Sequence, residues 1–171
     1  MIKNILWTSV FAVIAAILQS TLLSHIALYR AVPDLALGII VYSAYINGSM
    51  AGQLAGFTSG VILDFLSAAP LGLNALMRSI IGTLAGMLKG AFFLDFLFLP
   101  MALCAAATLL KAVTFFVLQM LLGDTIPVYH LNSATLWIEL AFNTISAPFL
   151  FALLKMLNRL LMGKGGPDAA K

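Results

Sequence analysis

Two ladders of glycine at helical spacing, Gly52/Gly56/Gly60 and Gly82/Gly86/Gly90, constrain this chain more than any other feature. Residues four apart share a helix face, so each ladder leaves a stripe with no side chains, against which another backbone can pack very closely. Between them runs a short polar hinge, Asp64-Phe65-Leu66-Ser67-Ala68-Ala69-Pro70-Leu71-Gly72-Leu73-Asn74, followed by Arg78. The hinge puts a carboxylate and a guanidinium at neighbouring ends of two apolar helices, where either charge alone is costly. The ladders serve either the packing of these two helices on each other or the helix of a partner. Ala12-x-x-x-Ala16 is a weaker stripe of the same type.

The surroundings of the ladders are those of a membrane. Of 171 residues, 63% are hydrophobic and 9% charged, which leaves no polar exterior for a soluble domain. The fold class is all-α, a polytopic membrane protein with six transmembrane helices. Residues 1–162 form one domain and 163–171 a disordered cytoplasmic tail, rich in glycine and charge. The first apolar run, from Ile5, reads as an uncleaved span. One cysteine, Cys104, excludes disulfides and cysteine metal sites within the chain. The net charge of +3 lies mostly near the ends, which suits anionic headgroups rather than nucleic acid.

The apolar segments run roughly Ile5–Ala27, Pro33–Tyr45, Met50–Leu66, Leu73–Leu88, Phe96–Leu122 and Leu136–Leu161. A crossing needs ~20 residues, so the second to fourth are short; longer neighbours can bury them, and the second is alternatively re-entrant. Pro33 with Asp34 starts a helix, the carboxylate facing its positive end. Asn47-Gly48-Ser49 and Pro70-Leu71-Gly72 are turns, Gly123–Thr135 is the longest exposed connection, and Pro148 kinks the last span. With the N-terminus inside, Lys3, Lys89, Lys155, Arg159, Lys164 and Lys171 are cytoplasmic and Arg30 alone is outside, so both termini are cytoplasmic.

In this arrangement Asp64 and Arg78 lie at matching depth near the outer ends of the third and fourth helices, where an ion pair can close the hairpin. Asn74 shares a face with Arg78. Lys111 lies near the middle of the fifth span, Glu139 and Asn143 in the outer half of the sixth. Counting at ~1.5 Å per residue sets Lys111 and Glu139 roughly 10 Å apart in depth, so Lys111 is expected to reach Asn143 or snorkel to an interface rather than pair with Glu139. No chain of carboxylates or histidines forms a proton relay. His25 and His130 lack ligand spacing, and no nucleophile triad, zincin helix or P-loop occurs. No catalytic, cofactor or metal site is expected. The Asn-Gly-Ser acceptor pattern at Asn47 falls on the inner side.

Pro33-Asp34-Leu35, Gly56-Phe57, Gly60, Leu63-Asp64-Phe65-Leu66-Ser67, Pro70-Leu71-Gly72-Leu73-Asn74-Ala75-Leu76 and Gly82-Thr83-Leu84-Ala85-Gly86 together resemble the family of the rod shape-determining membrane protein MreD. Length, span layout and cytoplasmic ends agree over nearly the whole chain. Thr83 stands where the family usually has an aromatic residue, and Arg78 is not assigned to its pattern. The resemblance implies a non-enzymatic scaffold in the bacterial cytoplasmic (inner) membrane. It implies binding to MreC, a single-span protein with a periplasmic domain. It also implies linkage of MreB filaments to RodA and its transpeptidase, hence to side-wall peptidoglycan synthesis and cell shape. The fold it implies is similar to the substrate-binding subunits of energy-coupling-factor transporters.

On this reading the third and fourth helices and the outer hinge form the contact surface, with Gly52, Gly56, Gly60, Asp64, Pro70, Gly72, Asn74, Arg78, Gly82 and Gly86 as packing or partner-binding residues. Lys111, Glu139 and Asn143 are the remaining polar intramembrane residues. The alternative is a substrate-binding subunit of a vitamin transporter, for which Tyr129, His130, Asn132 and Trp137 are the one polar-aromatic cluster. A membrane enzyme acting through Asp64 or Glu139 lacks a second catalytic group.

Overall fold

The computed structural model describes residues 2–21, 32–66, 70–90, 97–123 and 134–161. Regular structure there is helical: α1 (Ile2–Thr21), α2 (Leu35–Asn47), α3 (Ser49–Leu66), α4 (Leu73–Met87), α5 (Phe98–Leu122), α6 (Ala134–Met156) and the single turn α7 (Asn158–Leu161). The expectations for the tail at 163–171, for His25 and His130, and for nearly all of the loop after Gly123 concern residues outside this set.

The shortest of the six main helices is the axis of the bundle. Every residue of α2 from Ala36 to Tyr45 is buried, and α2 touches α1, α3, α4, α5 and α6. A helix apolar on all sides has no face to give to solvent and must be enclosed by others. Its 13 residues span ~20 Å, short of a ~30 Å hydrocarbon core. Enclosure removes that difficulty, because the ends of α2 meet protein instead of lipid.

Three helices among the described residues are long and apolar enough to cross a membrane, over Ile2–Gln19, Phe98–Leu121 and Ala134–Met156. Their outward faces are large and apolar: Val10, Ile14 and Ile17 on α1, Val113, Phe116 and Val117 on α5, Ile145, Phe149 and Leu153 on α6. The interior joins large apolar residues such as Leu37, Ile40, Met77 and Ile81 with small or polar ones such as Ala12, Thr8, Ser43, Ser59, Thr108 and Asn143. That distribution suits a bilayer, where tight packing and interhelical hydrogen bonds replace hydrophobic exclusion as the force joining helices. α6 extends through Pro148 without a break in its assigned length, and the expected final span ends at Met156, with α7 following after Leu157.

Hydroxyl and amide side chains tie the C-terminal half of α2. Thr8 and Ser43 share a hydrogen bond of 2.7 Å, and Asn4 Nδ2 donates to Asn47 Oδ1 at 3.2 Å. Asn47 Nδ2 also donates to the Leu161 carbonyl at 2.8 Å, while the Tyr42 hydroxyl donates to Asn158 Oδ1. α7 is thereby fixed under the bundle, with Leu161 fully buried.

Candidate functional site

The two ladders face each other. A Cβ added at Gly52 meets the Gly82 carbonyl, and one at Gly82 meets that of Gly52; one at Gly56 meets the Arg78 carbonyl, one at Gly60 the Ala75 backbone, one at Gly86 the backbone of Gly48 and Ser49. These contacts are all with backbone atoms, so α3 and α4 pack backbone to backbone at these positions; a Cβ at Gly52 would also meet the Ala44 side chain of α2. Gly90 takes no part. α4 ends at Met87, Leu88 and Lys89 close it with bonds to the Ala85 and Gly86 carbonyls, and Gly90 follows at φ +75° with no described residue within 4 Å of a Cβ built there. Its role is the turn that only glycine enters without strain, which corrects the expectation of a third rung.

Gly38 on α2 offers a contrast, since a Cβ there meets only the tip of the Leu150 side chain. A side-chain tip can rotate away, and alanine gains ~1 kcal/mol of helix propensity over glycine. Gly38→Ala is therefore expected to change stability by less than about 1 kcal/mol in an unfolding titration in lipid nanodiscs.

The expected Asp64–Arg78 pair is not formed. Asp64 Oδ2 accepts from the backbone N–H of Gly72 at 2.9 Å and of Ala75 at 3.1 Å; Oδ1 accepts from the Asn74 backbone at 2.9 Å and from Asn74 Nδ2 at 3.0 Å. Gly72, at φ +93°, is the N-cap of α4 and has no side chain to do this. Asp64 supplies the missing cap from the last turn of α3, satisfying orphan N–H groups and placing its charge at the positive end of α4. The carboxylate is already saturated, so it has no need of the guanidinium. Asp64→Asn turns one acceptor into a donor facing backbone donors and is expected to lower unfolding stability by about 2–3 kcal/mol. Little or no change in the unfolding midpoint would contradict this capping role.

Arg78 turns instead toward Asp34, the N-cap of α2. Asp34 Oδ1 accepts from Leu37 N–H at 3.0 Å and from Arg78 Nη2 at 3.3 Å; Oδ2 accepts from Lys111 Nζ at 2.9 Å. Lys111 continues to Glu139 Oε1 at 2.5 Å, the direct pair that depth counting disfavoured. Lys111 does not reach Asn143, whose Oδ1 accepts from the Asp34 backbone at 2.6 Å and whose Nδ2 donates to Thr108 Oγ1 at 2.9 Å. The result is a buried alternating row, Arg78–Asp34–Lys111–Glu139, drawn from α4, α2, α5 and α6. Its side chains are 5–14% exposed. Among the described residues its two cations balance its two carboxylates, which offsets the cost of burial.

Sequence reasoning treated Asp34 as a helix start and as part of the family pattern, not as an ion-pair partner, and did not single out Thr108. A charged residue directly before an apolar run, in a chain with so few charges, was the available signal. Of the other nominated residues, Pro70 and Gly72 are exposed at the hinge, whereas Asp64 and Arg78 are buried behind it.

Outside the hairpin, α3 and α4 leave a groove of about 440 Å³ lined by Gln53, Phe57, Gly72, Ala75, Leu76, Ser79, Ile80, Thr83 and Leu84. Ser79 and Thr83 return their hydroxyls to the Ala75 and Ser79 carbonyls at 2.6 and 2.7 Å. The groove therefore presents a mainly apolar floor.

A bundle wrapped around a short buried helix, apolar outside and tied inside by a neutral row of charges, is a helical membrane protein whose polar groups hold helices together. The chain matches the model of the rod shape-determining protein MreD over residues 1–157, and it belongs to that family. The family determines rod shape and is structural, not known as enzymatic. No curated protein and no solved structure matches the chain.

Proposed function

We propose that this protein is the membrane scaffold on which MreC docks, and that the outer face of the α3–α4 hairpin receives the MreC transmembrane helix. The observation that carries this reading is the disposition of the hairpin. Its glycines are used up in joining α3 to α4, so the surface left for a partner is the groove along Ala75, Ser79 and Thr83. Small residues four apart allow a second helix to approach closely there. Asp64 and Arg78 support this surface from behind, and exposed Pro70, Leu71 and Gly72 border it at the outer end. Binding fixes how the periplasmic part of MreC is presented, with no covalent step by this chain, and so helps couple MreB filaments to RodA and its transpeptidase.

Six crossings, a multi-pass position in the bacterial inner membrane and cytoplasmic termini belong to the same proposal, as does a fold similar to the substrate-binding subunits of energy-coupling-factor transporters. Exposed Lys3, Lys89 and Lys155, all assigned to the inner side, support the orientation. Ser79→Phe fills the groove, whose lining Ser79 shares. It is expected to cut co-purification of MreC roughly tenfold or more, equivalent to at least ~1.4 kcal/mol of binding, with unfolding stability kept. Undiminished co-purification removes the groove from the interface. A stoichiometric vitamin-sized ligand in native mass spectrometry favours the transporter reading instead.

A further inference from the structure

The groove along the α3–α4 hairpin carries one group that its apolar surroundings do not explain. Gln53 lines it, exposed, and no hydrogen bond ties its side-chain amide to another described residue. Ser79 and Thr83, which share the lining, spend their hydroxyl protons on carbonyls of their own helix. Lipid headgroups do not account for the amide. Met50 and Phe57 flank it on the same face of α3, and both are exposed and apolar. Across the hairpin Thr83 lies at the same level, because the Gly52 and Gly82 backbones meet, and exposed Leu84 and Met87 follow toward the end of α4. Gln53 therefore sits inside the apolar surface band and not at its edge. Held against lipid, its two N–H donors and its carbonyl lose water with nothing in exchange.

We infer that Gln53 hydrogen-bonds an uncharged polar side chain, an amide or a hydroxyl, on the transmembrane helix that docks in the groove, and so sets the register of that helix. This rests on the MreC reading above and adds the chemistry that the MreC helix must carry. In lipid, a hydrogen bond between two helices satisfies polar groups that find no water there. Ala75, Ser79 and Thr83 let a helix come near along the groove but fix no position along it. One amide among apolar neighbours does fix a position, because sliding the helix by a turn strands both polar groups. A charged side chain in the same place would add a desolvation cost that a neutral amide does not offset.

The test is recovery of MreC with the full-length chain in lipid nanodiscs, read beside unfolding titrations of the chain without MreC. Gln53→Leu keeps the size of the side chain and removes its hydrogen bonding. Gln119→Leu makes the same change on α5, outside the groove. Gln53→Leu is expected to lower MreC recovery roughly three- to tenfold, with the unfolding midpoint unchanged or raised, and Gln119→Leu to leave recovery unchanged. Alanine placed in turn at each Ser, Thr, Asn and Gln of the MreC helix is expected to reveal one position at which Gln53→Leu costs nothing further. Equal losses for the two leucine variants, a lowered midpoint for Gln53→Leu, or the lack of any such MreC position overturns the inference. Full recovery with Gln53→Leu while Ser79→Phe loses MreC overturns it too, and leaves the groove as the docking site. Recovery undiminished by Ser79→Phe overturns both readings.

Discussion

Asp34→Ala is expected to destabilise the bundle by about 3–5 kcal/mol, the range for removing one partner of a buried ion pair. Asp34 bonds groups from three helices: its carboxylate holds Arg78 of α4 and Lys111 of α5, its backbone N–H is held by Asn143 of α6, and it caps α2 itself. Removal leaves two buried cations against one carboxylate, and loss of the cap adds ~1 kcal/mol. Asp34→Asn separates the two effects, because it keeps an oxygen for Leu37 while still losing the charge. The double variant Lys111→Met/Glu139→Gln removes one opposite-signed pair and leaves Arg78 with Asp34. It is expected to cost less than Asp34→Asn, since deleting a whole buried pair is often close to neutral. Unfolding titrations in nanodiscs give all three values. A double variant less stable than Asp34→Asn would contradict the balance of charge as the organising feature of the row.

The second large effect is expected at the glycine interface. Gly56→Ala should gain ~1 kcal/mol from helix propensity, yet its Cβ falls on the Arg78 carbonyl, which belongs to a helix backbone and cannot rotate aside. Overpacking of this kind costs ~1–3 kcal/mol, and separating the helices also sacrifices dispersion contacts along the ladder. Net destabilisation is the predicted sign. Gly56→Leu cannot be accommodated in the closed hairpin, and the folded protein should be lost from membranes. A stable Gly56→Leu protein would mean that α3 and α4 do not meet through this face.

The sequence made the local features legible. Glycines four apart, Asp34 before an apolar run, the Asn47-Gly48-Ser49 turn and the Pro70-Gly72 hinge each act through near neighbours, and the helices begin and end close to them. Gly90 misled because spacing alone does not say where a helix stops. The charged row was not legible in the same way. Arg78 and Lys111 lie 44 and 77 positions from Asp34, and no spacing rule links residues brought together only when α2 is enclosed. Depth counting failed for Lys111 and Glu139 because it assumes parallel helices with level ends and ignores the length of the lysine stem. Asp64 was assigned the nearest opposite charge, although unpaired N–H groups at a helix start were the stronger claim on it.

The central claim, that the hairpin's outer face docks a single-span partner while the interior only holds the helices together, is tested most directly by site-specific photo-cross-linking in living rod-shaped cells. Probes at Leu76, Ser79, Ile80 and Thr83 on the groove are compared with probes at Val113 and Val117 on the outward face of α5. The predicted result is a cross-link to MreC from the groove positions and none from α5. Cross-links from α5 alone, or none from the groove in cells that keep their shape, would contradict it.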